Sequence, residues 1–230
     1  MLRQTFERNL QGLQDEILVL GSMVEDALIE SVELLKKRDL EGSRRLIEED
    51  RRINEKRFHI ENETLTLIAT QQPMAGDLRT LAAVLEIATE LERIGDYAKG
   101  IANINIRSGG VGSPKMLRDI YSMGEKAVNM LHRAMTTFAD EDPDAARCII
   151  EEDDLIDECY NKLYQDAVNN VLRDAGNIER SNYVIWAAHN LERLGDRATN
   201  ICERVAYMVT GKIPETYFTT GQLILPQESR

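Results

Sequence analysis

The sequence predicts an all-α fold, arranged as two tandem antiparallel three-helix bundles related by pseudo-twofold symmetry. Aromatic residues make up only 5% of the chain, and leucine, alanine, glutamate and isoleucine are frequent, a composition that favours helix over sheet. Only five prolines interrupt long stretches of helical apolar periodicity. The string ERxGD occurs at residues 92–96 and again at 192–196. This repetition indicates an internal duplication.

The helices follow from the positions of the breaking residues. In the first half of the chain we predict helices over about residues 3–38, 41–70 and 75–107. In the second half the predicted helices cover about residues 115–140, 143–174 and 177–210. The fifth helix has a clear start, because Asp142 is a good N-cap and Pro143 suits the first turn.

The two halves align beyond the repeated string. Residues 45–50 (RLIEED) match residues 148–153 (CIIEED). Short connections between three long helices predict antiparallel neighbours in each half. The sequence therefore divides into a first three-helix repeat, a linker rich in glycine, a second repeat and an irregular tail with a candidate extended segment, TYFTTGQLILP. The predicted boundaries are 1–107, 108–114, 115–211 and 212–230.

The charge and hydropathy of the chain exclude several classes of function. The formal net charge is −12, and a compact acidic surface repels nucleic-acid phosphates and anionic lipid headgroups. The N-terminal residues have no apolar signal region, and the longest uncharged run, residues 216–227, is too short to span a bilayer. We therefore expect a cytoplasmic protein that binds no nucleic acid and reaches a membrane only through partners.

The repeated strings place carboxylates at unusual positions. Glu92 and Asp96 are four residues apart on one helical face, as are Glu192 and Asp196, and each face is apolar a few turns earlier. Glycine within each string is costly in a helix, so we expect a neighbouring helix or a bound ion to approach closely there. The same helices carry a predicted core stripe: Val84, Ile87, Leu91, Ile94, Ala98 and Ile101 in the first repeat, and Leu191, Leu194, Ala198, Ile201 and Val205 in the second.

The second helix of each repeat offers more oxygen ligands at the same spacing. If the second and third helices pack antiparallel, each repeat gathers four oxygen-bearing side chains. We call these sets the first seam (Asp50, Asn54, Glu92 and Asp96) and the second seam (Asp153, Asp157, Glu192 and Asp196). Such donors suit a hard cation such as Mg²⁺, Mn²⁺ or iron. Because the chain has 40 Asp and Glu residues, a structural acidic seam without metal is the alternative.

Other candidate residues are weaker. Cys148, Cys159 and Cys202 form no metal-ligand pattern and are predicted to be buried apolar residues. His189 is close to the second seam as a possible outer ligand, although a satisfied histidine is the favoured interpretation, and Trp186 is predicted to anchor the core. We find no nucleophile–base arrangement or phosphate-binding glycine loop, so the sequence predicts no enzyme.

The two strings, together with QQPMAGDLR at residues 71–79 and GDRATNI at residues 195–201, resemble the PhoU family of bacterial phosphate regulators. The resemblance covers about residues 5–212. It implies paired three-helix bundles and a role as an adaptor, not an enzyme. Implied partners are the ATP-binding subunit of a phosphate ABC importer and the sensor histidine kinase of the phosphate regulon, and the adaptor would dampen starvation signalling when phosphate is plentiful.

Some members of this family resemble metal binders through paired acidic motifs in each repeat. Carried onto this chain, those motifs are Glu92/Asp96, Glu192/Asp196 and Asp153/Asp157. Asn54 departs from the pattern, which implies weaker binding or none in the first repeat. We therefore expect a homodimeric adaptor with a possible Mg, Mn, Fe or Zn ion. The rival interpretations are a structural three-helix repeat without metal and a metal-dependent phosphate-ester hydrolase.

Overall fold

The structure is a computed structural model and describes residues 2–108 and 113–212. Over these residues every regular element is a helix, which confirms the predicted all-α fold. The α-helices are α1 (Leu2–Lys37), α2 (Leu40–Gln71), α3 (Ala75–Ser108), α4 (Pro114–Asp140), α5 (Pro143–Glu151), α6 (Asp154–Arg173) and α7 (Ile178–Thr210), with a 3₁₀ turn at Ala175–Asn177. The candidate extended segment in the tail lies outside the described residues, and the domain boundaries stay a prediction.

The helices form two tandem bundles. In the first bundle α1, α2 and α3 pack against one another, and in the second α4, α5 and α6 pack around α7. Contacts between the bundles join α1 to α4 and α3 to α7. In the two repeats α1 corresponds to α4 and α3 to α7, so each helix contacts its own counterpart, as pseudo-twofold symmetry requires. The main hydrophobic core runs through both bundles, so they pack as one body.

Side-chain caps fix the starts of three helices. Asp39 accepts a hydrogen bond from Gly42 N at 2.8 Å at the start of α2, and Ser113 accepts one from Met116 N at 3.3 Å before Pro114. At the start of α5, the Asp142 carboxylate accepts from two backbone amides at 3.0 Å, which confirms the predicted Asp-Pro start. These bonds satisfy amides that have no partner within the helix.

The predicted fifth helix was wrong in one respect, because it is broken at Glu152 and Asp153 into α5 and α6. The amide of Glu152 donates to Ile149 O at 3.1 Å, and the amide of Ile156 donates to Asp153 O at 2.9 Å. These hydrogen bonds join residues three apart, as in a 3₁₀-helix, instead of four apart. No proline or glycine lies between residues 144 and 175. The break falls instead within four consecutive carboxylates, residues 151–154, whose mutual repulsion disfavours a continuous helix.

Two predictions of burial were also wrong. Trp186 is 51% exposed, because it lies off the buried stripe of α7, and it packs edge-on against Tyr183 with ring centroids 5.6 Å apart. Of the cysteines, Cys202 is buried, but Cys148 is exposed and Cys159 is only half-buried. The predicted core stripes of α3 and α7, in contrast, are fully buried.

A buried amide ties α3 to the turn between α1 and α2. Asn105 is fully buried, and its Nδ2 donates to Leu34 O at 3.0 Å, to Asp39 O at 3.2 Å and to Ser43 Oγ at 2.9 Å. Leu34 O lies near the C-terminal end of α1, where carbonyls lack helical partners. The Asn105 amide therefore holds three elements of the first bundle together at one point.

Replacing Asn105 with alanine is expected to lower the free energy of unfolding by about 1–2 kcal/mol, because a buried donor is lost although Leu34 O and Asp39 O keep the backbone amides of Asp39 and Ser43. Urea denaturation followed by circular dichroism measures this. Asn103→Ala is the matched control, since Asn103 is half-buried on the same helix and its side chain donates only to Lys99 O. Equal losses in the two variants would show that the Asn105 amide has no special role.

Candidate functional site

Neighbouring helices approach closely at the repeated glycines, α2 against α3 in the first bundle and the start of α6 against α7 in the second. A Cβ on Gly95 would lie 3.2 Å from two side-chain carbons of Ile53, and one on Gly195 would lie 2.7 Å from Asp153 Oδ1. Real Cβ atoms essentially never lie as close as 2.7 Å to a neighbouring atom, so a side chain at Gly195 would force its surroundings to shift. The predicted reason for glycine, close approach of a neighbouring helix, is therefore confirmed in both bundles.

The first seam is organised around a lysine that sequence reasoning did not select. Lys99 of α3 donates to Asp50 Oδ2 at 2.7 Å, and its Nζ lies 3.8 Å from Asp96 Oδ1. The Asn54 amide also donates to Asp50 Oδ2, at 3.1 Å. Asp50 is only 6% exposed, so its carboxylate is compensated almost entirely by protein groups. The structure thus brings together three of the four predicted residues, with Glu92 beside them.

The electrostatics of the first seam reflect this arrangement. Partial burial, and then repulsion from Asp96, raise the pKa of Glu92, while the nearby Arg57 opposes the shift. Burial and repulsion from Asp50 raise the pKa of Asp96, which Lys99 opposes. The hydrogen bond to Asp50 raises the pKa of Lys99 itself. The lysine is therefore firmly charged and partly neutralises the seam.

The second seam has the same carboxylates without such a lysine. Burial raises the pKa of Asp153 to about 7, with further contributions from the charges of Asp157, Asp196 and Glu192. Burial and then Asp196 raise the pKa of both Asp157 and Glu192. Within the described part of the chain, the one salt bridge to these four carboxylates comes from His189, whose Nδ1 lies 3.1 Å from Glu192 Oε2. His189 therefore contacts a seam residue, and its charge opposes the rise in the pKa of Glu192.

The fit of a metal ion differs between the two seams. Over residues 2–108 and 113–212, no three His, Cys, Asp or Glu side chains are arranged closely enough to hold one ion. The donor chemistry of the second seam nevertheless suits a hard cation, since its four carboxylates repel one another and gain from any positive charge. The first seam fits less well, because it has one amide among its oxygens and already contains an ammonium group.

A polar cluster between the bundles was missed by the sequence analysis. Arg193 and Arg197 of α7 each donate from Nε to the Tyr97 hydroxyl, at 3.1 and 3.2 Å. Arg197 and Asn200 also donate to Glu90 Oε2, both at 3.2 Å. Arg193 belongs to the second ERxGD string, so the arginine repeated in both strings could have indicated this cluster from the sequence. This cluster holds α3 against α7 from opposite bundles.

Duplicated three-helix bundles, each with an acidic seam beside a helix-contact glycine, define a class of tandem-repeat helical proteins. The PhoU domain family matches this sequence at residues 17–104 and 120–205, once in each bundle. The chain belongs to the PhoU family.

Several relatives match nearly the whole chain. The phosphate-specific transport system accessory protein PhoU homolog of Clostridium acetobutylicum is 33% identical over 213 residues, covering 92% of this chain and 97% of that protein. The phosphate-specific transport system accessory protein PhoU of Escherichia coli K12 is 30% identical over 207 residues, covering 90% and 86%.

Solved structures show the same fold. The crystal structure of PhoU from Pseudomonas aeruginosa superposes with a TM-score of 0.85 at 31% identity, covering 90% of this chain and all of that one. The phosphate transport system regulatory protein PhoU from Streptococcus pneumoniae gives a TM-score of 0.84 at 26% identity, covering 91% and 99%. Among the described helices, none has a stretch long and apolar enough to cross a membrane.

Replacing Asp153 with asparagine is expected to stabilise the metal-free protein at pH 8. The folded state raises the pKa of Asp153 above its unfolded value, so ionisation of this group progressively destabilises the fold as pH rises from about 4 to about 7. The variant should gain about 1–3 kcal/mol at pH 8 and much less at pH 4, where the carboxyl is protonated in the folded state and only about half ionised in the unfolded state.

Chemical denaturation in EDTA at both pH values measures this difference. Asp154→Asn is the matched control, since Asp154 is the exposed neighbour in the same acidic run, and it should change stability by no more than about 0.5 kcal/mol. A gain for Asp153→Asn that is the same at both pH values would rule out charge as its cause.

Proposed function

We propose that this protein is a phosphate-transport accessory protein that negatively regulates phosphate uptake and phosphate-starvation signalling. It acts as an adaptor on the ATP-binding subunit of a phosphate ABC importer and on the sensor histidine kinase of the phosphate regulon. In this proposal it works in the cytoplasm, as a homodimer, and associates with the membrane only through these partners.

The observation that carries the proposal is the match of both bundles to the PhoU domain, with relatives that align over about nine-tenths of the chain. Those relatives are named as accessory proteins of phosphate-specific transport, and one structural neighbour is named as a regulatory protein. The resemblance to the family supplies the importer and kinase as partners. An adaptor function also agrees with a surface of long, continuous helix faces that partners can contact.

We also propose that the second seam binds a metal ion, and that binding would draw the carboxylates of Asp153, Asp157, Glu192 and Asp196 closer together than they lie in this structure. The ion would be Mg²⁺, Mn²⁺, Zn²⁺ or iron, and when bound it would supply the positive charge that these carboxylates lack. Asp153 stands at the break before α6, and Glu192 and Asp196 belong to α7. Neutralising this seam would strengthen the contact between α6 and α7 and so fix the surface that those helices present to a partner.

Deleting the gene tests the regulatory role. In phosphate-rich medium the deletion strain should express alkaline phosphatase constitutively, because the kinase is no longer restrained, and labelled phosphate uptake should rise. Both measurements are made in the source bacterium at matched growth rate. Repression that is unchanged in the deletion strain would contradict the proposal and favour a structural helical repeat.

Complementation connects the phenotype to the seams. Wild-type protein should restore repression, and a variant with Glu192→Gln and Asp196→Asn should restore it only in part. The control variant is Lys162→Thr, which alters an exposed side chain of α6 whose ion pair is with Asp119 of α4. Full complementation by the seam variant would leave the adaptor role standing and remove the second seam from it.

A further inference from the structure

We infer that Lys99 is the resident cation of the first seam, so that this seam takes no metal ion and metal binding in the chain is confined to the second seam. The inference rests on the proposed metal binding of the second seam. It adds a physical cause to the weaker or absent binding expected from Asn54 in the first repeat, and it assigns a role to a side chain outside the repeated acidic motifs.

The contacts of Lys99 place its charge among the candidate ligands. Its Nζ is 2.7 Å from Asp50 Oδ2 and 3.8 Å from Asp96 Oδ1, so one ammonium group serves carboxylates from two helices. The Lys99 side chain is 35% exposed, while the Asp50 side chain is only 6% exposed. A hydrogen-bonded ion pair with a buried carboxylate is much stronger than a surface salt bridge.

A metal ion would have to compete with this ammonium group. It would either displace Lys99 from a buried carboxylate or lie within a few ångströms of a second positive charge. Displacing Lys99 leaves the buried carboxylate of Asp50 uncompensated, and two like charges about 4 Å apart repel each other. The Asn54 amide adds to the difficulty, because it offers less negative charge than the carboxylate of Asp157 at the equivalent position.

The second bundle shows the same framework without the lysine. Aligning the ERxGD strings places Thr199 opposite Lys99, and the Thr199 hydroxyl donates back to Asp196 O at 2.7 Å and so adds no charge. The surrounding charges differ in the same sense. Asp154 adds a negative charge beside Asp153 and helps to raise its pKa. Arg57 lowers the pKa of Glu92, and His189 is the positive group that lowers the pKa of Glu192.

Exchanging the two side chains tests the inference by metal binding. Equilibrium dialysis against Mn²⁺, followed by elemental analysis, gives the metal bound per chain. Thr199→Lys should weaken Mn²⁺ binding at least tenfold, whereas Glu92→Gln with Asp96→Asn should leave it unchanged. Asn54→Asp with Lys99→Thr reproduces the side chains of the second seam and should add Mn²⁺ binding, while Asn54→Asp alone should add none.

Loss of wild-type metal from the Glu92→Gln, Asp96→Asn variant would overturn the inference while leaving metal binding itself established. Retention of full Mn²⁺ affinity by Thr199→Lys would also overturn it, because an ammonium group would then be compatible with the ion. These outcomes differ from failure of the proposed metal function, in which the wild-type protein binds no Mn²⁺.

Thermal unfolding in EDTA gives a readout that does not depend on any metal. Lys99→Thr should lower Tm by about 3–6 °C, since Asp50 stays buried without its partner. Lys162→Thr makes the same change at a side chain that is 66% exposed and should move Tm by no more than about 1 °C. Thr199→Lys should raise Tm. Equal effects of Lys99→Thr and Lys162→Thr would overturn the inference even if no metal binds.

Discussion

The close contact of α2 with α3, and of α6 with α7, is the constraint on which the rest of the site depends. Glycine in each ERxGD string allows the helices to approach until Ile53 faces Gly95 and Ile156 faces Gly195. This approach also draws the adjacent carboxylates, Asp50 and Asp153, away from water. The tight apolar contact therefore has an electrostatic cost, because a carboxylate withdrawn from water must be neutralised or paired with a positive group.

The two bundles differ in how this carboxylate is compensated. In the first, Lys99 and Asn54 donate to Asp50, and α2 runs without interruption from Leu40 to Gln71. In the second, Asp153 has acidic neighbours and the helix breaks at that residue. The Arg133 guanidinium binds both carboxylate oxygens of Glu152, at 2.5 and 3.0 Å, and stabilises the break. Duplication thus kept the packing framework while the charge balance of the two halves diverged.

The parts of this structure that the sequence predicts well are those set by local periodicity. The buried stripe of α3 and the Asp142-Pro143 start both depend on neighbours along the chain. The break at Glu152 escaped prediction because no proline or glycine marks it, and because Arg133, which binds Glu152, comes from another helix. Trp186 was misplaced because a tryptophan is usually buried, yet here it lies beside the core stripe.

Lys99 shows why the candidate site could be predicted only in part. From the sequence, a lysine three residues after Asp96 looks like an ordinary surface ion pair along one helix. Its stronger bond is to Asp50, which is 49 positions away along the chain and arrives only when α2 packs on α3. The same helices place Tyr97 and Arg197, each adjacent to a seam carboxylate, in the polar cluster that joins the bundles. Helices α3 and α7 therefore each carry both a seam carboxylate and a side chain of the cluster that joins the bundles, so the seams and the contact between the bundles are built on the same two elements.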